Sequence, residues 1–138
     1  MNIEKCKIIK IPIVSESRGK LNFLEIEQHV PFEIKRIFYI TDVPVNVFRG
    51  EHAHIINHQL IICIKGSIDI MVDDGKNSKT YILNNSNQGL YIPPMIWSRQ
   101  SYKNQDSISL VLASEKYERI DYLRSYENFR NMSNSSKI

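Results

Sequence analysis

The sequence predicts an all-β fold, and three observations support that prediction. About nine short apolar or alternating runs follow one another at regular spacing, and turn residues end each of them. Asp74 and Gly75 lie between two of these runs, where an Asp-Gly pair supplies the positive φ angles of a tight hairpin. No stretch of helical periodicity long enough for a βαβ unit separates the runs. With 138 residues, the chain has the size of a single sandwich or barrel domain.

The predicted strands either alternate apolar and polar residues or are rich in β-branched and aromatic residues. In chain order they are residues 7–14, 21–27, 34–41, 47–54, 59–65, 67–72, 79–83, 89–92 and 107–113. Pro31 breaks the chain after the second run, and Gly66 makes a sharp corner between the fifth and the sixth.

A short helix is predicted near the end of the chain. Its apolar positions recur at helical spacing: Tyr122, Leu123, Tyr126 and Phe129. Asp121 precedes them and has a side chain suited to the N-cap position. Residues 133–138 are rich in Ser and Asn and are expected to form a disordered tail, so the predicted domain comprises residues 1–132.

Composition and charge exclude several classes of function. The chain has 18 Lys and Arg against 15 Asp and Glu, a net charge of +3, and no basic run that would indicate nucleic-acid binding. No window approaches the roughly 18 apolar residues of a membrane-spanning helix, and the N-terminus lacks the apolar segment of a signal peptide. The two cysteines, Cys6 and Cys63, lie far apart, as in a reduced protein. A soluble, cytoplasmic protein is expected.

Three of the four histidines lie within seven residues: His52, His54 and His58. On an extended strand His52 and His54 point to the same face, whereas His58 points to the other. Two imidazoles on one face suit a metal site or an acid–base pair. They are also compatible with two hydrogen-bonded polar groups at the mouth of a barrel.

The surrounding pattern resembles the first motif of the cupin superfamily, through Gly50, His52, His54, Gln59 and Gly66. Gln59 stands where that motif has a metal-binding Glu. In the second motif, residues 93–98 match the stretch that supplies a third His ligand, and Ser98 stands at its position. Two of the four usual ligands are therefore missing, and we expect no metal. Without one, the histidines can transfer protons near neutral pH.

A longer ordered set of matches resembles the nucleotide-sugar 3,4-ketoisomerases of the cupin superfamily, the FdtA/QdtA (WxcM-like) family. The matches extend over residues 18–129 and comprise residues 18–21, 31–39, 49–54, 59, 66–67, 74–75, 89–97, 111–114 and 121–129. The resemblance implies a small single-domain cupin, a double-stranded β-helix or jelly-roll barrel, with a short C-terminal helix.

The resemblance also implies an activity. Such isomerases move the carbonyl of dTDP-4-keto-6-deoxy-D-glucose from C4 to C3 without a metal or an organic cofactor. The product is then aminated to a Fuc3NAc or Qui3NAc type of sugar for bacterial surface polysaccharide, such as O-antigen, lipopolysaccharide or S-layer glycan. Small cupins commonly form homodimers, and the apolar segment 8–14 is our candidate for exchange between subunits.

The resemblance assigns site residues in two groups. The catalytic residues are His52, His54 and Tyr39, with His52 slightly favoured as the base. The substrate-binding residues are Arg49, Gln59, Arg18, Trp97 and Tyr91. Arg49 suits the role because a guanidinium offers a forked set of donors to sugar or diphosphate oxygens.

Three other functions remain compatible with the sequence. A metal-dependent cupin enzyme would require bound metal, although Gln59 and Ser98 disfavour it. A non-catalytic sugar-nucleotide-binding cupin would bind a ligand without exchanging a proton at carbon. A sugar epimerase of similar barrel fold would share the architecture, which does not determine the reaction.

Overall fold

The computed structural model describes residues 2–135, so the predicted tail at residues 136–138 lies outside the described residues. Twelve strands and one α-helix are present in the described part of the chain. The strands are β1 (Lys7–Lys10), β2 (Ile13–Glu16), β3 (Gly19–Asn22), β4 (Arg36–Ile40), β5 (Phe48–His54), β6 (Gln59–Lys65), β7 (Ile68–Asp73), β8 (Ser78–Leu83), β9 (Gln88–Ile92), β10 (Trp97–Tyr102), β11 (Ile108–Ala113) and β12 (Tyr122–Leu123). The helix α1 spans Tyr126–Ser135, and two short 3-10 helices span Ile3–Lys5 and Arg119–Asp121. The predicted all-β class with a short C-terminal helix is confirmed.

Two five-stranded sheets face each other and enclose the core. Their strand orders are β1-β9-β6-β11-β4 and β12-β5-β10-β7-β8. Alternation along the strands sends one set of apolar side chains inward. These include Ile61, Ile70, Val72, Leu90 and Val111, all at most 1% exposed. Polar residues at the inward-facing positions of the same strands therefore also lie inside the barrel.

The outer face of each sheet is covered differently. A second apolar cluster on the first sheet includes Leu60, Leu112, Val30 and the partly buried Phe32. On the second sheet, Phe129 of α1 packs with Trp97 and Ala53. The helix therefore covers the outer face of the second sheet.

Three strand predictions differ from the structure. The run 7–14 is split by Pro12 into β1 and β2, since proline cannot donate to the ladder. The run 21–27 is regular only as far as Asn22. β10 was not predicted, because its inward positions carry the polar residues Ser98 and Gln100 and its sequence therefore lacks an apolar alternation.

The C-terminal segment also differs from the prediction. Tyr122 and Leu123 pair with His54 and Ala53 as β12, and the helix begins only at Tyr126. Asp121 is therefore not an N-cap. The Ser125 side chain accepts from the backbone N–H of residue 128 and occupies that position instead.

The end of α1 corrects the predicted tail for residues 133–135, which are helical. Ser133 is buried, and its hydroxyl donates to the backbone carbonyl of Asp74 at 3.0 Å. Burial and this bond hold the last turn against the barrel. None of the helices in residues 2–135 is long and apolar enough to cross a membrane.

Gly66 makes the corner between β6 and β7 with φ +84°, and a Cβ there would lie 2.9 Å from the Cα atom of Ser107. We expect Gly66→Ala to lower the free energy of unfolding by at least about 2 kcal/mol, since backbone strain and a backbone clash act together. Urea denaturation measures this loss.

Gly19→Ala is the matched control, because Gly19 also has a positive φ but its Cβ would meet nothing within 4 Å. Its expected loss is about 1 kcal/mol, from backbone strain alone. Equal losses for the two variants would show that the contact with Ser107 does not matter.

Candidate active site

A cavity of about 230 Å³ opens between the two sheets at the end of the barrel that holds the histidine pair. Residues from both sheets and from the C-terminal segment surround it: Phe38, Ile40, Arg49, Gly50, His52, Gln59, Ser98, Gln100, Val111, Tyr122 and Arg124. Apolar side chains form part of this lining, and the polar part includes one imidazole, two amides and two guanidinium groups. Such a mixture suits a polar ligand with an apolar edge.

A register shift in β5 determines which of its residues reach the cavity. Opposite β10, Ser98 pairs with His52, but the next residue, Arg99, pairs with Gly50, so Glu51 is an extra residue. Gly50 and Glu51 have φ angles of +88° and +49°. Because of the extra residue, Arg49 and His52 both border the cavity, although a regular strand would point them to opposite faces.

His52 is held in one tautomer by the backbone. Its Nδ1 atom lies 2.7 Å from the carbonyl oxygen of Gly50, and a carbonyl can only accept, so Nδ1 donates its hydrogen. The lone pair therefore remains on Nε2. Burial lowers the pKa of His52, and the positive charge of Arg124 lowers it further. His52 is thus neutral at neutral pH and able to accept a proton.

His54 is buried behind His52, and hydrogen bonds hold both of its nitrogens. Nδ1 lies 2.9 Å from Oδ2 of Asp121, and Gln59 Nε2 donates to His54 Nε2 at 3.2 Å. Burial, followed by the nearby charge of His52, lowers the pKa of His54 to about 4, although Asp121 acts in the opposite direction. The two imidazole rings are perpendicular, with centroids 4.9 Å apart.

Tyr122 and Arg124 complete the site from β12 and the residues after it. The Tyr122 ring lies 5.0 Å from the ring of His52 and 4.4 Å from that of His54. The guanidinium of Arg124 stacks on Tyr122 at 4.8 Å. Neither residue is among the predicted site residues, because both fall within the predicted helix. Their alternation with Leu123, which packs outside, was the available signal for a strand.

Gln100 has a fixed amide orientation. The buried Tyr102 hydroxyl donates to Gln100 Oε1 at 2.7 Å and lies 2.8 Å from the hydroxyl of Ser109. Since its oxygen is engaged, the amide nitrogen of Gln100 is the group available to donate to a ligand.

The structure brings together four of the eight predicted site residues: His52, His54, Arg49 and Gln59. It places the other four elsewhere. Tyr39 is 72% exposed on the outer face of β4, because its neighbours Phe38 and Ile40 take the inward positions.

The other three residues are predicted substrate contacts that also lie away from this cavity. The Tyr91 hydroxyl lies 2.8 Å from His58 Nδ1 on the outer face of the first sheet. Trp97 packs against Phe129 of α1 with ring centroids 5.8 Å apart. Arg18 lies in the turn between β2 and β3, 86% exposed, and pairs with Glu16 at 2.9 Å. None of the three borders the cavity of this chain.

Within residues 2–135, no group of three or more His, Cys, Asp or Glu side chains could hold a metal ion. The two histidines meet an amide, Gln59, and a hydroxyl residue, Ser98, at the positions where the cupin pattern has further ligands. The donor set at this site is therefore poorly suited to a first-row metal.

The sequence and the structure of this chain match those of known proteins. Residues 4–134 match the sequence profile described as "FdtA: WxcM-like, C-terminal". The chain is 36% identical over 124 residues to TDP-4-oxo-6-deoxy-α-D-glucose-3,4-oxoisomerase of Aneurinibacillus thermoaerophilus, covering 90% of this chain and 89% of that protein.

Two solved structures are similar over nearly their whole length. One is QdtA, a sugar 3,4-ketoisomerase from Thermoanaerobacterium thermosaccharolyticum in complex with TDP. It has a TM-score of 0.92 and 34% identity, covering 96% of this chain and 97% of that one. The other is WlaRB, a TDP-quinovose 3,4-ketoisomerase from Campylobacter jejuni. It has a TM-score of 0.89 and 40% identity, covering 94% of this chain and 99% of that one.

The lowered pKa values of the two histidines predict how stability depends on pH. The unfolded chain takes up protons on both residues near pH 6.5, whereas folded His54 takes one up only near pH 4. The unfolded state therefore binds more protons in this window, so the free energy of unfolding should fall as the pH falls from about 6.5 to about 4. Urea denaturation at a series of pH values measures this slope.

His54→Gln removes one of these titrating groups and should make the slope shallower by up to about one proton per molecule. Its stability at pH 8 is the reference for any loss unrelated to titration. Parallel pH profiles for the two proteins would contradict the lowered pKa of His54.

Proposed function

The chain belongs to the FdtA (WxcM-like, C-terminal) family, and from this membership we propose that it is a 3,4-ketoisomerase acting on TDP-4-keto-6-deoxy-D-glucose. The relative from Aneurinibacillus is named for this substrate and reaction, and QdtA binds TDP. The observation that carries the proposal is the unprotonated Nε2 of His52, held by Gly50 in a cavity that two arginines border.

The reaction needs a base, an oxyanion-stabilising environment and a returned proton. The hydrogen on C3 is acidic because it is next to the C4 ketone. Its removal leaves an enediolate with a double bond between C3 and C4 and negative charge on the C4 oxygen. A proton then adds to C4, the hydroxyl at C3 loses its hydrogen to become the new ketone, and the C4 oxygen becomes a hydroxyl. Protons alone move, and no oxidant or reductant is consumed.

We propose His52 as the base that takes the C3 hydrogen. Its tautomer has the lone pair on Nε2, and its lowered pKa keeps it unprotonated at neutral pH. His54 is neutral as well, so it does not oppose the positive charge that His52 acquires. We propose that His52 returns a proton to C4, and that neutral His54 assists by packing against the His52 ring at 4.9 Å while Gln59 donates to the His54 Nε2 atom.

We propose Arg49 as the ligand of the sugar or diphosphate oxygens, because its guanidinium borders the cavity and offers several donors. Arg124 borders the same cavity on the Tyr122 side and supplies a second fixed positive charge. Fixed charges at a partly enclosed site stabilise a developing enediolate more strongly than charges in bulk water do.

The proposal extends to the cellular role. The 3-keto product would be aminated and incorporated, as a Fuc3NAc or Qui3NAc type of sugar, into a bacterial surface polysaccharide such as O-antigen, lipopolysaccharide or S-layer glycan. A cytoplasmic site of action agrees with the two free, buried cysteines.

We also propose a homodimer. The hairpin of β2 and β3 forms a sheet of its own, and all eight of its residues are exposed. Val14 and Leu21 pair across it at 52% and 58% exposure, which leaves an apolar surface available for a second subunit. Residues 7–10 pair with β9 of the same chain. An exchange of segment 8–14 would replace this pairing with the equivalent one between subunits.

The activity is tested by proton NMR of chelator-treated protein with TDP-4-keto-6-deoxyglucose in deuterated buffer. We expect a 3-keto product that carries deuterium at C4, and the C4 coupling distinguishes the galacto from the gluco product. His52→Asn should lower kcat by about 100-fold or more, because it removes the base.

His58→Asn is the matched control, because His58 lies on the outer face with Tyr91 and should leave kcat within about twofold of the unmodified protein. Exchange at C3 without movement of the carbonyl would favour an epimerase. Activity restored only by a divalent metal would favour a metal-dependent cupin. Binding of the nucleotide sugar without any exchange would favour a binding protein.

The dimer is tested by light scattering coupled to size-exclusion chromatography. The unmodified chain should elute with twice the monomer mass, and Leu21→Asp should shift it toward the monomer because a charge then lies on the proposed contact. Ile82→Asp is the control, since Ile82 is 60% exposed on β8 and is not part of the hairpin. A monomer before substitution, or dissociation by Ile82→Asp alone, would contradict this interface.

A further inference from the structure

We propose that Asp121 is a positioning residue for the reaction, whose carboxylate holds His54 in the tautomer that carries hydrogen on Nδ1. This inference rests on the proposed ketoisomerase function for its kinetic consequence. The geometric part does not depend on that function, because the tautomer is a property of the free protein.

The two oxygens of Asp121 face two donors. Oδ1 accepts from the backbone N–H of Ile56 at 2.7 Å, and Oδ2 lies 2.9 Å from His54 Nδ1. The backbone N–H can only donate, so its partner must be an acceptor. The second oxygen of an ionised carboxylate is also an acceptor, and it therefore selects the His54 tautomer with hydrogen on Nδ1.

The role of the Nε2 atom of His54 depends on which tautomer Asp121 selects. With hydrogen on Nδ1, Nε2 has a lone pair, and it accepts from the amide of Gln59 at 3.2 Å. If the hydrogen were on Nε2, two donors would face each other, and Gln59 would have to turn its carbonyl toward His54. Asp121 therefore sets the orientation of Gln59 as well, and Gln59 borders the cavity.

The backbone fixes the position of Asp121 independently of this bond. Asp121 ends the 3-10 helix Arg119–Asp121, and its carbonyl accepts from the N–H of Ile55 at 2.9 Å. The following residue, Tyr122, pairs with His54 as the start of β12. Asp121 is only 5% exposed. A carboxylate that is this buried and has two donors within 3 Å is held in place before substrate binds.

Asp121→Asn tests the proposal, because an amide has one acceptor oxygen where the carboxylate has two. The oxygen must stay with the fixed N–H of Ile56, so the amide nitrogen faces His54 Nδ1 and forces hydrogen onto Nε2. We expect long-range ¹H–¹⁵N correlation spectra of the free protein to show the two nitrogens of His54 exchanging roles. In the isomerase assay we expect kcat to fall by about 100-fold with KM within about twofold.

Asp74→Asn is the matched control, because Asp74 is also 5% exposed and its carboxylate accepts from backbone N–H groups, including those of Ile3 and Asn77. The Asp74→Asn substitution removes a buried carboxylate that lies away from the cavity, so the His54 spectrum and kcat should not change. A loss of kcat in both variants would indicate general destabilisation and overturn the proposal.

The long-range ¹H–¹⁵N spectrum of the unmodified protein tests the tautomer of His54 even if Asp121→Asn does not fold. Hydrogen on Nδ1 of His54 supports it, and hydrogen on Nε2 overturns it. An unmodified protein with the predicted tautomer but no isomerase activity would refute the proposed function and leave the Asp121–His54 pair established. An active protein in which Asp121→Asn retains its kcat would refute the positioning role alone.

Discussion

The extra residue in β5 is the constraint on which the site depends. A regular strand cannot point Arg49 and His52 to the same side, yet both border the cavity because Glu51 shifts the register against β10. In this segment the carbonyl oxygen of Gly50 lies 2.7 Å from the Nδ1 atom of His52 and accepts from it. A Cβ on Gly50 would lie 3.2 Å from the carbonyl oxygen of Ser98, so the two strands can approach closely only with glycine at this position.

Around this strand, the protein buries or partly buries two neutral imidazoles beside fixed positive charges. Burial disfavours protonation of both rings, and Arg124 reinforces the effect at His52. An acidic side chain is present, but it faces the rear of His54 and not the cavity. In the proposed reaction, the negative charge on the enediolate would therefore meet two arginines, and the C3 proton would meet the Nε2 atom of His52.

The sequence predicted the fold class and the histidine pair because both depend on local patterns. Alternation and turn residues identify strands, and His52 and His54 are two residues apart on one of them. Arg49 was assigned to the site only through the family resemblance, since the register shift that turns it inward depends on the pairing with β10. Tyr39 was also assigned through the resemblance; its own strand gives no indication of which face meets the core, and Phe38 and Ile40 occupy that face.

The bond between His54 and Asp121 joins residues 67 positions apart in the chain. The segment that carries Asp121 follows the last long strand, β11, and pairs with β5 over only two residues, so we expect it to dock after the sheets have formed. A chain that has formed its facing sheets but not docked the 119–124 segment would have its cavity lacking Tyr122 and Arg124, and an unrestrained His54. Recovery of enzymatic turnover after dilution from denaturant should therefore lag behind recovery of β-sheet circular dichroism, so turnover would report the docking of this segment.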